Sequence, residues 1–515
     1  MGRCVMGWEV TSYIHGGPRY SAADEAAYRA AAALIGDQAG AWRNAAHAWS
    51  SSMLRMRANH AAAPLCPIAS DPYTPVDGHS TLPYAEIDRR CGQHAVDCDR
   101  IALRLEEMAD LLIRAHSLYE GAESAVRRVT NEIVQAAAGV FPGRTALGAA
   151  GLAAAGVVGG SVADGRFNPV WALTSTSTVQ EGLLGGVASK VGGIGPVSGL
   201  ARTDEVNAAA DRIARVTAPI DALRQGGTLT VREVSTDVTV VGESHSVAQS
   251  LENLRRLAEE RLGKIDLDSG LDYATIAIQR YERDDGTSSW LVTIPGTDGQ
   301  PDSPFGWPQN VELMSDDPQR RMSADSARMV AEAMRQAGIG ADEPVALIGH
   351  SQGGIVAATI AADLADEYRI DHVVTAGSPV ANHPIPERTW VTSIEMEDEL
   401  VAALDGAANP ATEHWLTVRG VASRTEEAGI GTIGADGSCT PGDAASARAN
   451  AYAGEPVRTD ADGKEITHWI EYHQAAYRNA SDLGSYALAE HERHFRETIG
   501  GTLAETHYYE GRMSH

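Results

Sequence analysis

One ten-residue stretch constrains this chain more than any other: Val345-Ala-Leu-Ile-Gly-His-Ser-Gln-Gly-Gly354. Four aliphatic residues, the length of a short buried strand, run into Gly349-His350-Ser351-Gln352-Gly353. Ile355 to Leu364 follow, rich in small and apolar residues, and read as a buried helix. Strand, G-x-S-x-G and helix together make a nucleophile elbow. The turn is tight enough that a Cβ two residues to either side of the serine would meet neighbouring backbone, so Gly349 and Gly353 are required there. Ser351 is thereby the candidate nucleophile, raised clear of the sheet at a helix N-terminus that favours negative charge.

The elements around the elbow extend this pattern. Leu229–Val234, Tyr273–Arg280, Trp290–Ile294, His372–Ala376, Trp390–Ile394 and Trp415–Arg419 are runs of strand length, and 247–262 and 323–337 read as helices. Asp284-Asp-Gly-Thr-Ser-Ser is a hairpin signature. Strands alternating with helices predict an α/β fold with a mostly parallel sheet covered on both faces.

Upstream the character changes. Tyr28, Ile35, Trp42, Trp49 and Met56 recur every seven residues, with Ala39, Ala46 and Met53 between them. After a proline-broken loop at 62–83, a second seam runs through Ile87, Cys91, His94, Cys98, Ile101, Leu105, Met108 and Leu112, and on to Ile133. Two heptad helices joined by a loop predict an antiparallel hairpin with both tryptophans in its core. The expected organisation is a helical hairpin domain at 1–140, a Gly/Ala-rich connector with an amphipathic helix at 141–227, and the α/β domain at 228–515. Within the last, 420–466 reads as a lid or a disordered insertion.

Composition narrows the partners. A net charge of -27 argues against nucleic acid and anionic membrane surfaces. Lys190, Lys264 and Lys464 are the only lysines, and the Ala, Gly, Asp and Arg usage resembles that of GC-rich actinobacterial proteins. The apolar stretch within 146–162 is short and weakly hydrophobic for a bilayer span, so no stable membrane span is expected. The five cysteines match no zinc site, and Cys91 and Cys98 on one helix stand roughly 10 Å apart, too far to bridge. Met1 to Trp8 lack the basic start and apolar run of a conventional signal peptide.

Acyl transfer by serine needs a base, an orienting acid and an oxyanion hole. In a fold built on this elbow, acid and base follow the nucleophile in the chain. Residues 288–480 resemble an α/β-hydrolase of the class 3 (fungal-type) lipase branch. Ile294-Pro-Gly-Thr297 is similar to that branch's strand-R-G-T segment, with Pro295 in place of arginine. The resemblance implies an oxyanion hole from Thr297 and the backbone N–H of Gln352. Ala376-Gly-Ser-Pro379 matches the family's structural G-S/T-P turn. The family acid lies in a D-x-V-P pattern. Anchoring on Val401 and Leu404 places Glu399 at that position and Ala402 at the proline, while residue type favours Asp398. Both carboxylates stay open. His473, opening His473-Gln-Ala-Ala-Tyr477, resembles the family's H-x-x-x-Y and is the expected base, with His468 next. His350 is expected to pack beside the nucleophile, and His491-Glu-Arg-His494 to be an exposed helix face.

The hairpin is similar to the N-terminal helical domains of type VII (ESX) secretion substrates. Tyr119-Glu-Gly-Ala-Glu123 matches their export signature, although the W-x-G turn is missing. The expected activity is that of a serine ester hydrolase, lipase- or esterase-like, with an ester or lipid substrate and no metal or cofactor. The hairpin would engage a helical partner or secretion machinery, with the protein either secreted or displayed at the cell surface, or else cytoplasmic. Two rival readings are a delivered phospholipase-type effector and a non-catalytic binding protein on a decayed hydrolase scaffold.

Overall fold

A computed structural model describes residues 7–18, 24–62, 84–119, 205–424, 454–459 and 463–515, with short pieces at 153–172, 432–433 and 439–440. The chain divides into two compact units, Ser21–Ser117 and the remainder.

The smaller unit holds α1 (Asp24–Ala62) and α2 (Tyr84–Tyr119). Arg43 pairs with Glu106 and Arg57 with Asp88, a register in which rising numbers on one helix meet falling numbers on the other. The hairpin is therefore antiparallel. Its buried line runs through Ala39 and Ala46 on α1 and through Cys91, Ala95, Cys98, Ala102 and Ala109 on α2. The expected seam thus holds at Cys91 and Cys98. Its alternate position is displaced by one residue, from His94, Ile101 and Met108 to alanines. Small side chains let the helices approach closely and leave the large ones on the flanks. Trp42 and Trp49 are accordingly 40% and 41% exposed rather than core residues. Cys91 and Cys98 are free and buried, one turn-pair apart as their spacing requires. The loop at 63–83, most of the connector, residues 120–123 of the export signature and most of 425–453 lie outside the described residues.

The larger unit is built on a ten-stranded sheet. Its strands are β1 (Trp8–Gly16), β2 (Thr228–Val234), β3 (Thr275–Glu282), β4 (Ser288–Ile294), β5 (Val345–His350), β6 (Ile370–Ala376), β7 (Trp390–Met396) and β8 (Trp415–Arg424). A two-residue ribbon, β9 (Thr432–Ile433) with β10 (Cys439–Thr440), stands apart, and β11 (Glu455–Pro456) and β12 (Thr502–Ser514) complete the set. The order is β11-β1-β8-β7-β6-β5-β4-β3-β12-β2. β4 to β8 are parallel neighbours, and antiparallel strands extend the sheet at both sides. The helices are α3 (Glu205–Gln225), α4 (Val247–Glu260), α5 (Trp307–Leu313), α6 (Pro318–Ser323), α7 (Asp325–Ala337), α8 (Gln352–Asp363), α9 (Ile470–Asp482) and α10 (Tyr486–Thr498).

Alternation along the central strands feeds two cores. Val345, Leu347 and Val391 join one face with α7 and α8 residues such as Met329 and Val356. Ala346, Ile348 and Ile394 point to the other, against Leu251 and Leu254 of α4, Ala475 and Ala476 of α9, and Phe495 of α10. This is the predicted two-sided α/β sheet. Residues 8–16 depart from the expected 1–140 helical domain. Trp8, Val10, Ser12 and Ile14 are buried in strict alternation and pair antiparallel with β8 along its length. Of 420–466, β8 continues to Arg424 and Glu455–Pro456 forms the outermost strand, so those ends belong to the sheet. No described helix is long and apolar enough to cross a membrane.

Candidate active site

The elbow takes the form its sequence demands. Ser351 sits between β5 and α8 at φ 55° and ψ -123°, a backbone region that costs a non-glycine residue of order 1–3 kcal/mol. Two hydrogen bonds brace the strain. Ser351 N–H donates to Ala376 O at 2.8 Å, and the Ser378 hydroxyl donates to Ser351 O at 2.8 Å. The glycines close the rest: a Cβ on Gly349 would overlap Gly353, and one on Gly353 would overlap the Ile294 carbonyl. Ser378 thus has the structural role its turn implied, holding the peptide of the nucleophile candidate.

Ser351 Oγ meets a histidine at 2.9 Å, and that histidine is His468 Nε2. His468 Nδ1 lies 2.9 Å from Glu399 Oε2. Because an ionised carboxylate only accepts, Nδ1 carries the proton and Nε2 presents its lone pair to the serine hydroxyl. His473, the expected base, is placed elsewhere. Its Nε2 lies 3.1 Å from the same Glu399 oxygen and its Nδ1 3.1 Å from Trp469 O, so neither ring nitrogen is turned to Ser351. His473 starts its helix buried against the sheet, while His468 sits in the loop before it and retains some exposure. The H-x-x-x-Y resemblance led to His473, whereas the ring within hydrogen-bond reach of Ser351 Oγ is His468, five residues earlier.

Consecutive carboxylates after β7 have separate partners. Glu397 accepts from the Tyr13 hydroxyl of β1, Asp398 pairs with Lys464 and accepts from Thr467 Oγ1 at 2.7 Å, and Glu399 faces the histidines. Asp398 is therefore anchored to the segment that carries His468, and Glu399 is the carboxylate facing the imidazole. Glu399 Oε1 also accepts the Met396 N–H at 3.0 Å. Burial alone would raise its pKa, but His473 and His468 override that and hold the carboxyl well below the usual range. Gly377 lies beneath this cluster at φ +59°, where a Cβ would stand 2.8 Å from Glu399 Oε2 and from His473 Nε2. His350 packs as expected. It stacks on His468 with ring centroids 4.9 Å apart, and its Nε2 donates to His468 O at 2.8 Å. Burial first, then the two neighbouring histidines, drive its pKa well below the ordinary value, so it stays neutral.

The Gly296–Thr297 loop lies over the nucleophile. A Cβ on Gly296 would stand 3.0 Å from Ser351 Cβ. Thr297 Oγ1 donates to Gln352 Oε1 at 3.3 Å, and the Gln352 amide donates to Gly306 O at 3.0 Å. Thr297 is therefore tied through the Gln352 side chain to the first turn of α8, next in the chain to Ser351. A residue that sequence reasoning missed holds this loop. Arg261, fully buried after α4, donates to Gly296 O and, at 3.3 Å, to Asp298 Oδ2, which also accepts from Ala274 N and Ser303 Oγ. Burial lowers its pKa to about 10, leaving it charged. Nothing in the local sequence around Arg261 marks it.

Glu399, His468 and His473 are also the one group among the described residues with three metal-type donor atoms within 4.8 Å of one another. Their separations of 2.9 and 3.1 Å are those of hydrogen bonds, and one oxygen between two ring N–H groups satisfies both.

Residues 315–416, from before α6 to the start of β8, match the family model described as a PGAP1-like alpha/beta domain. That family is lipase- and esterase-like within the α/β-hydrolases. The domain is α/β-hydrolase-like. Ser351 and Glu399 fall inside the matched region of this hydrolase-like domain, while Thr297 and His468 come from outside it. No curated protein and no solved structure matches the chain.

Proposed function

We propose that this protein is a serine ester hydrolase working through Ser351, His468 and Glu399. The observation that carries the reading is the continuous line from Ser351 Oγ to His468 Nε2, and from His468 Nδ1 to Glu399 Oε2, each step 2.9 Å, on a strained elbow. In the first half-reaction Ser351 Oγ attacks the ester carbonyl carbon while its proton passes to His468 Nε2. The carbonyl π electrons move to oxygen, which the Gln352 N–H stabilises, joined by the Thr297 hydroxyl once it turns from Gln352 Oε1 to the oxyanion. Collapse breaks the bond to the leaving alcohol, which takes the proton from His468. Water then attacks the acyl carbonyl, giving a proton to His468; collapse breaks the bond from the acyl carbon to Ser351 Oγ, His468 returns its proton to that oxygen, and the acid leaves. Glu399 holds the base in the tautomer required and stabilises its charged form. The intact relay opposes the reading of a decayed scaffold.

Purified protein is expected to hydrolyse p-nitrophenyl esters with saturable kinetics and with loss of activity after phosphonate treatment. A series from acetate to long acyl chains would read the substrate class directly. Folded protein inert across the whole series would overturn the reading.

A further inference from the structure

Glu399 serves two histidines, and the reaction above uses one. His473, in the first turn of α9, is wholly buried. Its Nδ1 faces the Trp469 carbonyl oxygen, which has no proton to give, so Nδ1 must donate. Its Nε2 faces Glu399 Oε2. That carboxylate already accepts the Met396 N–H on Oε1 and the His468 Nδ1–H on Oε2, and donors of this number hold a carboxylate in its ionised form. Nε2 must therefore donate too. An imidazole donating from both nitrogens carries a positive charge.

The surroundings agree. Burial opposes the charge, as does the helix N-terminus, but Glu399 outweighs them and raises the His473 pKa. From β5, His350 meets its ring edge-on at 5.6 Å and is neutral. From β7, Glu395 adds a more distant attraction and is itself bound to Arg419 and Asn409. On α9 the adjacent Gln474 turns to Glu252 of α4. His468 stands at 6.1 Å between ring centroids.

We propose that His473 is a buried imidazolium that neutralises Glu399 and so limits the pull of that carboxylate on the proton His468 accepts. It is a positioning residue, and its kinetic consequence rests on the proposed hydrolase reading. With His473 charged, a second positive charge on His468 is opposed, and turnover persists to lower pH. Removing that charge leaves the Glu399 carboxylate uncompensated beside the base. At 6.1 Å and an effective dielectric of about 20, the acid limb of the pH–turnover profile moves up by about one to two pH units in His473→Gln.

Two measurements test this. Neutron diffraction of the wild-type protein near pH ~8, above the ordinary histidine value, is expected to show hydrogen on both ring nitrogens of His473. It needs neither activity nor a folded variant. Hydrogen on one nitrogen only, or a metal between Glu399 and the two histidines, would overturn the proposal. The pH profile of His473→Gln then separates charge from structure. A merely structural residue would lower turnover with the acid limb in place, and that outcome would also overturn it. Inert wild-type enzyme with a doubly protonated His473 would refute the hydrolase reading alone.

Discussion

Replacing His468 by alanine is expected to lower ester turnover by about 10⁶-fold, as much as Ser351→Ala, and the double variant no further. The reason is geometric. Ser351 Oγ is a weak nucleophile until a base 2.9 Å away takes its proton, and the base does nothing without the nucleophile, so the two act as a unit. The loss corresponds to about 8 kcal/mol of transition-state stabilisation, leaving only what the oxyanion donors and binding contribute. Both variants should stay folded, because each truncation removes a side chain at the accessible side of the site. Steady-state kinetics with circular dichroism read both. Independent, multiplying losses in the double variant would separate the two residues and remove the unit.

Glu399→Gln is expected to lower turnover by about 10⁴-fold, with Asp398→Asn costing stability instead. Glu399 Oε2 receives two ring N–H groups, and a glutamine amide that turns its NH₂ toward them opposes both donors. If it turns its oxygen there, the charge that stabilises the protonated base is still gone. Asp398 has no part in that exchange. Its partner Lys464 is buried beside Trp8 and Trp171, and asparagine would remove the charge of Asp398 from that ion pair. Breaking a buried pair in this way costs about 3–5 kcal/mol of stability, while turnover of the folded fraction should fall less than about tenfold. Chemical denaturation and kinetics on the two variants give the comparison. A larger kinetic loss in Asp398→Asn would return the acid role to Asp398.

The parts of this molecule that were legible in the sequence are those dictated locally. The elbow is one, because only glycine fits where Gly349 and Gly353 meet the backbone of α8 and β4. The central strands are another, because burial on both faces forces continuous apolar runs. Between the two carboxylates left open, register points to Glu399; both are buried, and they differ in partner, Glu399 facing His468 and Asp398 facing Lys464. What remained hidden depends on segments distant in the chain. His468 and His473 both turn an imidazole to Glu399, and which of them reaches Ser351 depends on how the 463–469 loop is tied down through Lys464 to Asp398. Arg261 supports a loop more than thirty residues away. β1 alternates cleanly, but its partner β8 lies some four hundred residues on, and nothing near it announces a sheet. In the hairpin, a heptad repeat gave the period and the wrong second seam position, because large and small residues both recur at spacing seven.

The most direct test of the Ser351–His468 pairing is labelling with a fluorophosphonate followed by peptide mapping. The account predicts a single adduct on Ser351 in the wild-type protein, formed rapidly, and no comparable adduct in His468→Ala. An adduct on Ser378 or another serine, or equal labelling of Ser351 with and without His468, would contradict it.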